Sequence, residues 1–235
     1  MKKIFTILLL FGGLLMSGCS DWLDVQPKDK QSTDMYWESS EDVEAILAQG
    51  YSRLRDCVPY IIDWGELRGS SVIVPVRSTP AGQIQNFTVL PSTSAVQWGT
   101  FYQVIGMANA VLKYAPGVIE KDESYYQSQM DSHLTEAYFL RGYNYYRLFC
   151  QYERCPLQLE PIDVSAGVPR NFKLSSGEDV LNQVIDDLQK AYDLLRTDDW
   201  RGAGTWTKYT AAHFLAKALL YRQSERCTWK SNYPA

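Results

Sequence analysis

The stretch from Tyr125 to Tyr152 most limits what this chain can become. Met130, Leu134, Ala137, Arg141, Tyr145 and Leu148 recur at steps of three and four, and Tyr138, Gly142, Tyr146 and Phe149 form a second line beside them. That spacing is helical, and a helix apolar on two adjoining faces must be packed between neighbours. The rest of the chain therefore has to supply helices to cover it. Arg141 lies inside the apolar face, where a guanidinium must be paired or reach solvent, and Glu136 and Asp187 are both available partners.

Four more helices are predicted. Ser39 with Asp42 resembles a capping box, with Asp in place of the usual Glu or Gln, and Val43, Ile46, Leu47, Gly50, Tyr51 and Leu54 carry a buried stripe to about Arg55. Trp98, Phe101, Tyr102, Ile105, Asn109 and Leu112 mark another, ended by Pro116 and Gly117. Ser176 and Asp179 repeat the cap before Leu181, Val184, Ile185, Leu188, Tyr192 and Leu195. Thr207 caps a last helix in which Ala211, Ala212, Ala216 and Ala218 permit close approach, while Phe214, Leu215 and Leu219 add bulk. With no sheet expected, the fold class is all-α, built of tetratricopeptide-like helix pairs with long irregular loops. The longest loop, residues 57–95, holds Pro59, Pro75, Pro80 and Pro91 and a β-branched run at 71–76. Its length suits a functional or partner-facing segment. Aromatic residues make up 13% of the chain, and large rings of this kind mostly enter the core.

The amino terminus has a different logic. Lys2 and Lys3 precede an apolar run from Ile4 to Met16, then Ser17, Gly18 and Cys19, the layout of an export signal. As a helix that run reaches only ~20 Å, short of the about 30 Å hydrocarbon core, so it is not a spanning anchor. The residues "LMSGC" resemble a lipoprotein cleavage site, with Met16 where Leu is usual. Residues 1–18 are thus expected to be a lipoprotein signal peptide, Cys19 the acylated anchor, 19–38 a tether and 39–235 the helical domain. Two or three acyl chains, a palmitate among them, hold a protein on a membrane where one does so only marginally. The alternative is a secreted chain in which Cys19 is incidental.

Chemistry is mostly excluded. The net charge is −4 and becomes more negative when Lys2 and Lys3 leave with the signal, which disfavours nucleic acid as a partner. His133 and His213, the two histidines, lie in helical stripes where packing or local hydrogen bonding is the expected role. No HExxH, GxSxG, P-loop or GxGxxG occurs, no pair of carboxylates stands apart from helix caps and faces, and neither cofactor nor metal is expected. Asn86, Phe87 and Thr88 spell a glycosylation sequon, read as chance in a bacterial chain. An exported location would permit disulfides among Cys57, Cys150, Cys155 and Cys227, but nothing in their spacing demands them; Cys150 and Cys155 lack metal-site spacing, and buried free thiols are the expected state. Sugars offer apolar faces edged by hydroxyls, so flat rings among polar groups suit them. Trp64 with Asp63, Glu66 and Arg68 has that mixture, and Arg77 follows in the same loop. Trp64, Arg68 and Arg77 are therefore the candidate ligand-binding residues, although Arg68 and Glu66 also make sense as a structural pair. Trp200 and Trp206 flank a Gly-rich turn, as surface platforms or folded back onto the helix begun at Ser176.

Taken in order, "CSDWLDVQPKD", "YWESSEDVEAILAQGYSRLRD", "WGELRGS", "WGTFYQVIGMANAVL", "EAYFLRGYNYYRLFCQYERCPL", "EDVLNQVIDDLQKAYDLL" and "TKYTAAHFLAKALLYR" resemble the SusD/RagB family of nutrient-binding outer-membrane lipoproteins. The resemblance implies a surface-exposed, lipid-anchored, non-enzymatic protein that captures oligosaccharides or polysaccharides for a TonB-dependent transporter barrel. It also implies that Trp98 is a buried core residue. Members of the family are roughly twice as long, and after Tyr221 "RQSERCTWKSNYPA" loses the helical period. A truncated, amino-terminal form lacking the carboxyl half is expected, with the last helix left bare on one face. The rival readings are a helical-repeat adaptor limited to protein contact, a non-functional fragment, and an exported hydrolase.

Overall fold

The computed structural model describes residues 36–76, 78–90, 93, 98–162, 171–195 and 206–224. The helices are α1 (Ser40–Glu66), α2 (Pro80–Gln85), α3 (Trp98–Val118), α4 (Gln127–Tyr152), α5 (Gly177–Leu194) and α6 (Lys208–Gln223), and no strand occurs among the described residues. The long helices pack largely in chain order, α1 on α3, α3 on α4, α4 on α5 and α5 on α6, with α4 also touching α1. The all-α fold of tetratricopeptide-like pairs is the one expected.

Caps set the starts. The Ser39 amide donates to Asp42 Oδ2 at 2.9 Å, and the Ser176 and Thr207 hydroxyls accept from the amides of Asp179 and Thr210 at 3.1 and 3.3 Å. The segment before α1 is also docked. Trp37 is buried, its ring stacks on Tyr114 with centroids 5.3 Å apart, and its carbonyl accepts from Lys121 Nζ at 2.9 Å. Trp37 and Glu38, assigned to the tether, thus pack on the helical body, while Cys19 and residues 20–35 lie outside the described residues.

α1 runs past the expected end at Arg55 to Glu66, with Pro59 inside it. The stripe does not stop at Pro59. Cys57 is buried and Ile61 and Trp64 half-buried at helical spacing, and this burial offsets the about 3 kcal/mol that an interior proline costs. Likewise α3 reaches Val118, carrying Pro116 in its last turn.

α4 lies at the centre and buries most of both predicted lines, Arg141 included, with Leu134 and Tyr138 half-buried. The choice left open for that guanidinium resolves to Asp187. Arg141 Nε and Nη2 each donate to this carboxylate at 2.8 Å, and Nη1 donates to Asn109 Oδ1 at 2.9 Å. Glu136 instead accepts from the Tyr51 hydroxyl at 2.6 Å. Burial raises the Asp187 pKa and the bidentate arginine opposes that, so removing either partner strands a buried charge, a loss of about 3–5 kcal/mol. Asn109 Nδ2 donates to the Gln158 carbonyl at 2.8 Å, Tyr145 Oη to the same carbonyl at 2.9 Å and Tyr102 Oη to that of Pro156 at 2.7 Å. One polar network therefore ties α3, α4 and α5 to the 156–160 loop. Close approach of α4 and α5 depends on Gly142, where a Cβ would meet Asp187 Cβ at 3.0 Å and Leu188 Cγ at 3.2 Å.

His133 is buried, with Nδ1 2.9 Å from Tyr125 Oη, as a packing role requires. His213 departs from expectation: α6 buries Ala211, Leu215 and Ala218, which turns His213 and Ala216 outward.

Candidate functional site

The carboxyl end of α1 and the loop after it form a small structure of their own. Leu67 and Ile84 are buried against each other, with Trp64, Val74, Ala81 and Val89 packed around them. Thr79 starts α2 by accepting from the Gly82 amide at 3.1 Å, and Pro80 takes the first helical position, where its missing N–H costs nothing. The Gln85 side chain then braces the chain opposite, accepting from the Val74 amide at 2.8 Å and donating to the Val72 carbonyl.

α2 ends in a tight wrap. The Phe87 amide donates to Ile84 O at 3.3 Å and the Thr88 amide to Gln83 O at 2.9 Å, the paired bonds of a Schellman motif. The residue at its left-handed position is ordinarily glycine; here it is Phe87, at φ 58°. That conformation costs a bulky L-residue about 1–2 kcal/mol and holds the ring outward, 71% exposed.

Arg68 lies between two rings. Its guanidinium carbon is 4.7 Å from the Trp64 ring centroid and 5.0 Å from that of Phe87. It forms no ion pair with Glu66; the aromatic faces hold it instead. Trp64 and Arg68 then border a groove of about 170 Å³, together with Ile61, Gly65, Phe101, Arg147, Cys150 and Gln151. Arg147 reaches it from α4, its Nε donating to Tyr143 Oη at 3.0 Å.

Of the three candidate ligand residues, Trp64 and Arg68 are brought together and Arg77 lies outside the described residues. Phe87 and Arg147 were not foreseen. Phe87 had one signal, an aromatic residue between Asn86 and Thr88 with no apolar period around it. Arg147 had none, because only the packing of α4 on α1 and α3 delivers it here.

Trp98 is half-buried rather than enclosed, 4.6 Å from Tyr152 between ring centroids. Trp206 does not return to α5. Its ring centroid lies 4.0 Å from that of Phe139 and 6.4 Å from that of Tyr51, between α4 and α1. Trp200 and Cys227 lie outside the described residues. Cys57 and Cys155 are buried free thiols, as expected, and burial followed by the Asp56 charge pushes the Cys57 thiol up to about 12. Cys150 is free but exposed at the groove, since α4 turns it toward solvent.

Among the described residues no helix is long and apolar enough to cross a membrane, and no cluster of His, Cys, Asp and Glu is arranged to hold a metal.

A SusD-like family model described as "Starch-binding associating with outer membrane" matches residues 21–220. A SusD-like protein, P38, of Formosa agariphila is 28% identical over 234 residues, covering 94% of this chain and 43% of that protein. A SusD homolog from Bacteroides thetaiotaomicron superposes with a TM-score of 0.71 at 20% identity, over 88% of this chain and 41% of the other. A structure described as a laminarin binding SusD-like protein does so with a TM-score of 0.61 at 22% identity, over 79% and 41%. The chain thus spans less than half the length of each of these relatives.

Proposed function

Because this chain belongs to the SusD-like family, we propose that it is a lipid-anchored surface protein that captures glycans at the groove beside Trp64 and passes them to a TonB-dependent transporter. The observation that carries this reading is the Trp64–Arg68–Phe87 stack, two aromatic faces held by a guanidinium at the edge of a groove. Such rings pack on the apolar faces of sugars, while neighbouring donors address the hydroxyls. The family description, which names binding, supports capture without turnover as the function. The laminarin binding of one structural neighbour supports the ligand class, and the family description supports the outer-membrane location. Exposed Ile73, Val76 and Leu90, in the segments before and after α2, support a protein partner.

Native gel electrophoresis through polysaccharide-containing gels tests capture. Retardation by at least one polysaccharide is expected, reduced about tenfold in affinity by Trp64→Ala. Phe87→Ser is the companion variant, because this exposed ring can be removed without opening the Leu67–Ile84 cluster. A chain that migrates identically in every gel is not a glycan-binding protein.

A further inference from the structure

We propose that the groove at the end of α1 selects an acidic sugar, held through a uronate carboxylate or a sulfate ester by Arg68 and Arg147. This rests on the glycan-binding reading above and adds the charge of the ligand. Two guanidinium groups from different helices line one cavity, and no carboxylate lines it with them. Asp63 and Glu66, the nearest acidic residues along the chain, are not among its walls. Neither arginine forms an ion pair with any described residue, in a chain whose net charge is −4 and whose buried Arg141 has a bidentate carboxylate.

Both cations are aimed rather than free. Trp64 and Phe87 hold the Arg68 guanidinium between their rings, and the Tyr143 hydroxyl on Arg147 Nε leaves Nη1 and Nη2 of Arg147 for a ligand. A planar fork presented this way matches two oxygens of a carboxylate or sulfate, which neutral hydroxyls match less strongly. The remaining walls do not compete for it. Gln151 is uncharged, and a cysteine thiol, which ordinarily titrates above neutrality, carries no charge at Cys150 to compete for the cations. Buried Phe101 and half-buried Ile61 supply an apolar surface for a ring. At about 170 Å³ the groove is below the roughly 300–1,000 Å³ usual for whole-ligand pockets, which suits one charged sugar unit of a longer chain.

The test sets gels containing polygalacturonate, alginate or a sulfated galactan against gels containing starch, laminarin or xyloglucan. Retardation by an acidic polysaccharide is expected, stronger than by any neutral one and weakened about tenfold or more by Arg147→Gln and by Arg68→Gln. Arg68 is solvent-exposed, so its replacement leaves the fold intact, and an unchanged circular dichroism melt verifies this for both variants. Response to the uronate gels or to the sulfated gel identifies which anion the arginines take. Retardation by neutral polysaccharides alone, or acidic retardation indifferent to both arginine variants, overturns the inference and leaves glycan capture standing. No retardation in any gel overturns capture itself, and the charge preference with it.

Discussion

Phe87 holds its place in the fold at a cost to the backbone. A phenylalanine in the left-handed position of a helix-ending wrap is a local fault, shared among the described residues only by Glu153 at the end of α4, and such faults gather where a side chain must be presented. Phe87→Gly removes the strain while adding about 0.5–1 kcal/mol of unfolded-chain entropy. Thermal melts should therefore show the variant as stable as the parent or more so, by up to about 1 kcal/mol, while its retardation in polysaccharide gels falls. A clear loss of stability would mean that the ring serves packing. Trp64 and Arg68 were legible in the sequence because a flat ring among charged residues in a loop is the mixture that suits a sugar. Phe87 was not, since nothing local says that α2 turns its end back over Arg68.

Helix contacts depend on single atoms in two places. Gly142→Ala pushes a methyl group into Asp187 and Leu188, parting α4 from α5 and disturbing the carboxylate that holds Arg141. Denaturant unfolding should show a loss of about 1–3 kcal/mol. At the start of α1, Asp122 accepts from the Ser40 amide at 2.9 Å and from the amide and hydroxyl of Ser124 at 2.8 and 2.6 Å. These bonds, Ser124 first, lower its pKa from 3.8 to about 2. The unfolded chain takes up this proton first as pH falls, so the contribution is full above about pH 4 and is lost as pH drops through about 2. Melts of Asp122→Asn and parent across pH 5 to 2 should converge at the acid end; a constant gap would assign the stability to something other than this titration. The five long helices were readable from caps and spacing, whereas α2, inside the stretch read as a loop, was not. The extension of α1 was not, because the proline at position 59 signals an ending that continued burial overrides.

Across the whole molecule, stability passes from helix to helix through neighbours. α4 buries side chains against α1, α3 and α5, whereas α6 buries only Ala211, Leu215 and Ala218 and exposes Tyr209 and Leu220. Hydrogen exchange should accordingly protect the α4 amides longest and release those of α6 first among the long helices. Equal protection along the array would show one cooperative unit instead. The order of helices, their caps and the central position of α4 followed from the sequence, because periodic burial and end-capping are set by residues within a turn or two of one another. Which acid Arg141 takes, whether a proline ends a helix, how Phe87 comes to lie against Arg68, and how Arg68 and Arg147 come to share one groove were decided by tertiary structure. Those outcomes depend on distances between segments far apart in the chain, and only the packed arrangement of the helices sets such distances.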